Sequence, residues 1–204
     1  MAIINVNLDI VRERCENFVD LTSDCAACMN RINTDYIQET KNRWNSRDAE
    51  EYVRNVCAAF NDYIEQWNHS FSAVFREFQE KVNDLARSEH AQLLDVKDIV
   101  SLEELQVGWS GEDVNFRIDD EYGDFTDQHL NSNVRKILEN LNEMNNCIDY
   151  AVQQALDSAF CNEIKASISK LISSADEVIS QYNKETAAAA SQKDIDTKRL
   201  EQNT

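Results

Sequence analysis

The chain has 204 residues and a formal net charge of −18, from 38 acidic against 20 basic side chains. That balance argues against nucleic acid, whose phosphates require a Lys/Arg surface, and against an anionic membrane surface; no apolar run approaches the roughly 18 residues that span a bilayer. Proline is absent and the three glycines, Gly108, Gly111 and Gly123, fall in one short window, so the strongest helix breakers are missing from both flanks and long helices are expected on either side of a non-helical middle.

Residues 1–9 lack a basic start followed by an apolar core, so no ordinary secretory signal is expected. From Leu8 the apolar positions read Leu8, Val11, Cys15, Phe18, Cys25, Met29 and Ile32, with Thr22 filling one step. Spacings of three, four and seven mark an amphipathic helix. The pattern loosens over residues 33–43 and reaches Trp44-Asn45-Ser46. Ser46 suits an N-cap, since its hydroxyl can accept a bond from a first-turn amide. Asp48, Glu50 and Glu51 then favour the positive end of the next helix dipole.

That next helix carries Val53, Cys57, Phe60, Ile64, Trp67, Phe71, Val74, Phe75, Phe78, Val82 and Leu85. The stripe runs for about ten turns at 3.6 residues each, and the first helix is its nearest partner. A short connection between two long helices makes an antiparallel hairpin. Two helices alone rarely cover such a stripe, so a third surface is implied.

The pattern changes over residues 93–127. Residues 112–127 alternate polar side chains with Val114, Phe116, Ile118, Tyr122 and Phe125 around Gly123, which predicts a small β-hairpin or ordered loop. Asp119, Asp120, Glu121, Asp124 and Asp127 form an acidic cluster without the ligand register of an EF-hand, and a solvated turn is expected there. Helical period returns with Val134, Ile137, Leu138, Leu141, Met144, Ile148, Val152 and Ala155. After a break near Asp157-Ser158 a fourth stripe reads Ile164, Ile168, Leu171, Ile172, Ala175, Val178, Ile179 and Tyr182. Beyond it lies a polar tail, helical only through its alanines or else frayed. The expected fold is therefore all-α: two long antiparallel helical hairpins forming a four-helix bundle or an elongated pair. The expected divisions are a first hairpin over 1–92, an acidic loop or β insertion over 93–127, a second hairpin over 128–186 and a polar tail over 187–204.

Six cysteines occur, at 15, 25, 28, 57, 147 and 161. Cys25-x-x-Cys28 has no second half-motif and sits within a helical pattern, so core packing is expected rather than metal or redox chemistry. Cys147 and Cys161 are the pair to consider for a disulfide if the chain is exported. His69 and His90 fall on or near the polar side of the second helix. No phosphate loop, zinc motif or di-iron helix motif is present, so no catalytic residue, no metal ligand and no cofactor is expected.

The first half resembles the WxG superfamily, the small helical-hairpin proteins exported by type VII secretion systems. Asn5-Val6-Asn7 leads into an amphipathic helix, Trp44-Asn45-Ser46 stands where that family places Trp-x-Gly, and Trp67 falls where its second helix often carries an aromatic. The likeness covers about residues 3–86, with Ser46 in place of glycine. A literal Trp109-Ser110-Gly111 is expected to be a turn in the middle segment, and Phe160-Cys161-Asn162 is placed at the second hairpin's turn, which makes the chain a diverged tandem of two hairpins. The family's tail signal, a tyrosine followed four residues later by an acid, is not met: Tyr182 is followed by Thr186. Phe116 and Asp120 match a Phe-x-x-x-Asp variant found in partners of exported toxins and form the candidate targeting motif.

The resemblance implies a non-enzymatic protein of a type VII pathway, made in the cytoplasm, and either exported without a signal peptide or serving as targeting partner or chaperone for the helical domain of a secreted toxin. Its partner would be a toxin's N-terminal helical domain or a WxG-like protein, through Val53, Phe60, Ile64, Trp67, Phe71, Phe75 and Phe78, unless the two hairpins of the chain cover that face themselves. The alternative is a cytoplasmic helical binding protein, immunity or regulatory in role, unconnected with export. Neither nucleic-acid binding nor membrane insertion is expected.

Overall fold

A computed structural model of the chain describes residues 7–113, 117–153 and 158–202. Its class is all-α. In chain order it comprises α1 (Leu8–Arg31), a π-helical turn at Ile32–Ile37, a 3-10 turn at Thr40–Asn42, β1 (Trp44–Asn45), α2 (Arg47–Gln66), a π turn at Trp67–Phe71 and α3 (Ser72–Ser88). After an extended stretch come β2 (Arg117–Ile118), α4 (Tyr122–Thr126), a third π turn at Asp127–Asn131, α5 (Ser132–Gln153) and α6 (Ser158–Gln202). No helix among the described residues is long and apolar enough to cross a membrane.

The start of α2 follows from its capping residue. The Ala49 amide donates to Ser46 Oγ at 3.1 Å, three residues on, the geometry of an N-cap hydroxyl. The π turn at Trp67–Phe71 answers a drift in the stripe. Trp67, Phe71 and Phe75 are two consecutive steps of four, which carry the apolar face about 80° past two full turns of a regular helix. A turn with i→i+5 bonding takes up that excess and keeps all three rings buried.

α3 ends in a Schellman motif. The Ala91 amide reaches the Ala86 carbonyl at 2.9 Å and the His90 amide the Arg87 carbonyl at 3.2 Å. His90 holds the left-handed position, φ 54°, that glycine usually occupies.

Two compact units divide the chain, and each takes lengths of both expected hairpins: residues 1–27, 64–102 and 136–173 in one, 28–63, 103–135 and 174–204 in the other. In the first unit Phe18 of α1 lies 6.0, 5.9 and 5.1 Å, ring centre to ring centre, from Phe71, Phe75 and Phe78. α1 runs antiparallel to α5 there: Cys25 meets the Ile137 carbonyl, whereas Arg14 lies at Glu143 and over the Tyr150 ring. In the second unit Arg31 donates to Asn133 at 3.0 Å and the hydroxyls of Tyr36 and Tyr122 are 3.1 Å apart.

Three expectations need correction. Of the two forms expected for residues 112–127, a local β-hairpin is not found among the described residues. Instead β2 pairs antiparallel with β1, Trp44 opposite Ile118 and Asn45 opposite Arg117, and helix begins again at Tyr122. The alternation of Tyr122 and Phe125 is also a helical i, i+3 spacing, and both rings pack on aromatic neighbours as a helix allows. Phe160-Cys161-Asn162 lies inside α6, not at a turn; residues 154–157, where the connection falls, are outside the described residues. The tail is helical to Gln202, in keeping with the strong propensity of its alanine run and the absence of glycine or proline.

Candidate functional site

The aromatic stripe does not offer an open face. Val53, Phe60, Ile64, Trp67, Phe71, Phe75 and Phe78 are all buried within the chain. Two other features concentrate unusual chemistry: the turn around Trp44, and an extended strap on the helix face beside the stripe.

The turn is built from the Trp44-Asn45-Ser46 motif outward, all within the second unit. The Trp44 indole is buried, 3 % exposed, with its centre 6.1 Å from the Tyr52 ring and 5.4 Å, edge on, from Tyr122. Tyr36 stacks on Phe125 at 5.6 Å, and Arg43 sits over the same Phe125 ring at 5.7 Å. Arg43 also pairs with Asp119 at 2.6 Å, and the Asp119 amide donates to the Arg43 carbonyl. The Arg43 hydrogen bond, then the Glu121 amide, hold the Asp119 carboxyl below its ordinary value. Burial pushes the Tyr36 hydroxyl well above its own.

The second tryptophan motif meets the first. The Trp109 indole donates to the Ile37 carbonyl at 2.9 Å. The Gly111 amide donates to Glu50 at 2.8 Å, and that bond, with help from Arg54, lowers the Glu50 pKa. A Cβ at Gly111 would lie 2.0 Å from the Ser46 carbonyl oxygen and 2.6 Å from the Arg47 nitrogen. Only glycine permits that approach. Glycine is thus absent from position 46 in sequence, yet a glycine backbone is packed against Ser46 in space.

Between Ala91 and Gly111 the chain has no regular secondary structure, and it is held by side-chain amides. In the first unit Asn83 Oδ1 accepts from the Leu94 amide at 2.7 Å while its Nδ2 donates to the Leu94 carbonyl at 3.0 Å. Gln79 treats Lys97 the same way, at 2.8 and 2.9 Å. Asn68 does so for Leu102, at 2.9 and 2.8 Å, and the Trp67 indole donates to the Val100 carbonyl at 2.9 Å. In the second unit Asn61 repeats the pattern on Leu105, at 2.8 and 3.1 Å, and Gln38 donates to the Gln106 carbonyl.

The carboxamides of Asn83, Gln79, Asn68 and Asn61 each satisfy both polar groups of one backbone residue, as a neighbouring β-strand would. Leu94, Lys97 and Val100 recur every third residue, the period of a polyproline II strand. Lengths agree as well. Eight residues from Leu94 to Leu102 span about 25 Å at 3.1 Å each, and fifteen helical residues from Asn68 to Asn83 span about 22 Å. The strap therefore runs antiparallel to α3 with matched rise.

These amides were not picked out from sequence, although a signal exists. Positions 61, 68, 79 and 83 are offset by 0, 7, 18 and 22 residues, which at 100° per residue places them within about 60° of one another, beside the aromatic stripe. Of the expected targeting pair, Asp120 is exposed in the turn before α4 and Phe116 lies outside the described residues. His69 and His90 are exposed, and His129 is half-buried with its ring 5.0 Å from that of Phe125. All six cysteines are buried, and none is in a disulfide. Burial raises the Cys15 thiol to about 12 and those of Cys57 and Cys147 to about 11, so these three stay protonated at neutral pH and unreactive. Among the described residues no group of three or more His, Cys, Asp or Glu side chains is arranged to hold a metal ion. Comparison with known protein families, curated proteins and solved structures finds no match to this chain.

Proposed function

We propose that this chain is a non-enzymatic, protein-binding helical protein of a type VII secretion pathway, serving as an exported substrate or as targeting partner to a secreted toxin. The observation that supports this reading is the Trp44 turn. A tryptophan at the junction of two long helices is buried against Tyr52 and Tyr122, and the next helix starts on a Ser46 cap, the local arrangement that the WxG resemblance implies. The aromatic stripe is covered by the chain itself, so on this reading the partner meets a different surface.

The acidic surface suits a basic or apolar partner. An export assay tests the reading. Tagged protein is expected in the culture supernatant of cells with an intact secretion ATPase, alone or when a toxin partner is co-expressed, and is expected to vanish when the ATPase is inactivated. Protein that stays within the cells under both conditions would favour the alternative, a cytoplasmic immunity or regulatory binder.

A further inference from the structure

The strap along α3 has the attributes of a bound peptide. We propose that the face formed by Gln79 and Asn83 of α3, together with Trp67 and Asn68 of the preceding π turn, is a binding groove for an extended peptide, that residues 94–102 are its resident occupant, and that an extended segment of a partner protein with basic residues at the Asp95 and Lys97 positions displaces them. This inference stands apart from export and holds for a cytoplasmic binder equally.

Three observations carry it. First, the groove reads main chain. Seven of its contacts go to backbone N–H and C=O groups of Leu94, Lys97, Val100 and Leu102, so an incoming segment needs an extended backbone more than any particular side chain, as in recognition by strand addition. Second, the groove requires an occupant but, Leu102 apart, buries none of this one's side chains. Gln79 and Asn83 are 1 % and 3 % exposed, and buried carboxamides are costly without partners. Yet Leu102, at its end, is the one buried side chain of the occupant; from Gln92 to Ser101 none is buried, and Leu93 and Val100 are among the exposed large apolar residues, at 43 % and 51 %. Backbone bonds replaceable by any extended chain do most of the holding.

Third, the resident sequence is electrostatically mismatched. A cavity of about 350 Å³ beside the strap is lined by Glu16 and Asp20 of α1 together with Asp95 and Lys97 of the strap. Asp95 brings a third carboxylate to that wall, and Lys97 is the sole cation lining it. A segment with a cation in place of Asp95 removes a like charge and adds an opposite one. The Arg76–Asp98 pair at 3.0 Å is the strap's own compensating contact, and both side chains are exposed, where such pairs contribute little.

The test uses two fluorescein-labelled peptides, one with the sequence of residues 92–104 and one carrying Asp95→Lys. They are titrated into the full-length protein and into full-length Leu94→Pro/Lys97→Pro, which removes two amide donors from the resident strap. The opened variant is expected to bind both peptides and the intact chain to bind them more weakly, by the fraction of time its groove is vacant. The Asp95→Lys peptide is expected to bind more tightly at low salt, with the advantage shrinking as salt rises. Adding Gln79→Ala and Asn83→Ala to the opened variant is expected to weaken binding at least about tenfold.

Absence of binding to an opened variant of unchanged helical circular dichroism overturns the proposal. So does binding that ignores Gln79→Ala/Asn83→Ala, and so does an equal affinity for both peptides at low salt. Should the opened variant unfold, hydrogen exchange on the intact protein decides. Leu94 and Lys97 amides exchanging well ahead of the buried turns of α3 support a displaceable strap, and exchange as slow as those turns refutes it.

Discussion

Trp44 and Gly111 are residues whose roles can be separated by substitution. The Trp44 indole fills space between Tyr52 and Tyr122, but its N–H has no acceptor among the described residues, unlike the indoles of Trp67 and Trp109. Trp44 therefore contributes through packing. Trp44→Ala is expected to lower the unfolding free energy by about 3–5 kcal/mol, whereas Trp44→Phe, which keeps an aromatic body and forfeits no bond, is expected to lose far less. Urea unfolding of the two variants checks this, and equal losses would contradict it. The position of Trp44 and the capping role of Ser46 were legible in sequence because both are local. That Gly111 closes on Ser46 was not, since the two are brought together only by the path of the strap.

At the scale of elements, the end of α3 decides where the strap begins. The Schellman bonds at Ala91 and His90 reverse the chain, and His90 takes a left-handed backbone there, which costs an L side chain about 1–2 kcal/mol. His90→Gly is expected to raise stability by about 0.5–1 kcal/mol, part of the relief being offset by the greater freedom of glycine in the unfolded chain. Thermal melting measures it. No gain, or a loss, would show that the His90 side chain makes a contact worth the strain.

The strap itself illustrates a limit of pattern reading. Its sequence contains Leu102, Glu103, Glu104 and Leu105, helix formers by propensity, yet it is extended because paired hydrogen bonds from Asn61, Asn68 and Gln79 reward that backbone. Tertiary partners outweigh propensities worth only tenths of a kcal/mol per residue. The expected change of pattern after residue 93 was visible. What the segment changed into depended on amides far away in sequence.

For the whole molecule the dominant property is its charge, −18. Mutual repulsion makes individually compensated carboxylates useful, and Glu50 is one: its pKa is lowered from 4.5, first by the Gly111 amide and then by Arg54. A carboxyl with a depressed folded pKa stabilises fully above its unfolded value and loses that contribution as the pH falls through the folded one. Glu50→Gln is therefore expected to be less stable than the parent by about 1 kcal/mol at pH 7, allowing for partial exposure. The difference is expected to narrow as the pH drops below 4.5. Denaturant unfolding of both proteins at several pH values removes the general effect of acid on net charge, because that effect is common to the pair. A constant gap across pH would show that the carboxylate's charge is not what Gly111 and Arg54 read.

The sequence alone determined the helical class, the long amphipathic stripes, the cap at Ser46 and the interruption in the middle of the chain, because each arises from local spacing or from residues that permit or forbid a helix. Tertiary structure decided that the aromatic stripe is covered, that β2 pairs with the Trp44 turn instead of folding back locally, and that the middle segment is strapped to α3 by carboxamides. Those outcomes depend on which surfaces meet. A carboxamide reads the same on a helical wheel whether water or a backbone lies opposite it, and only the folded chain supplies the backbone.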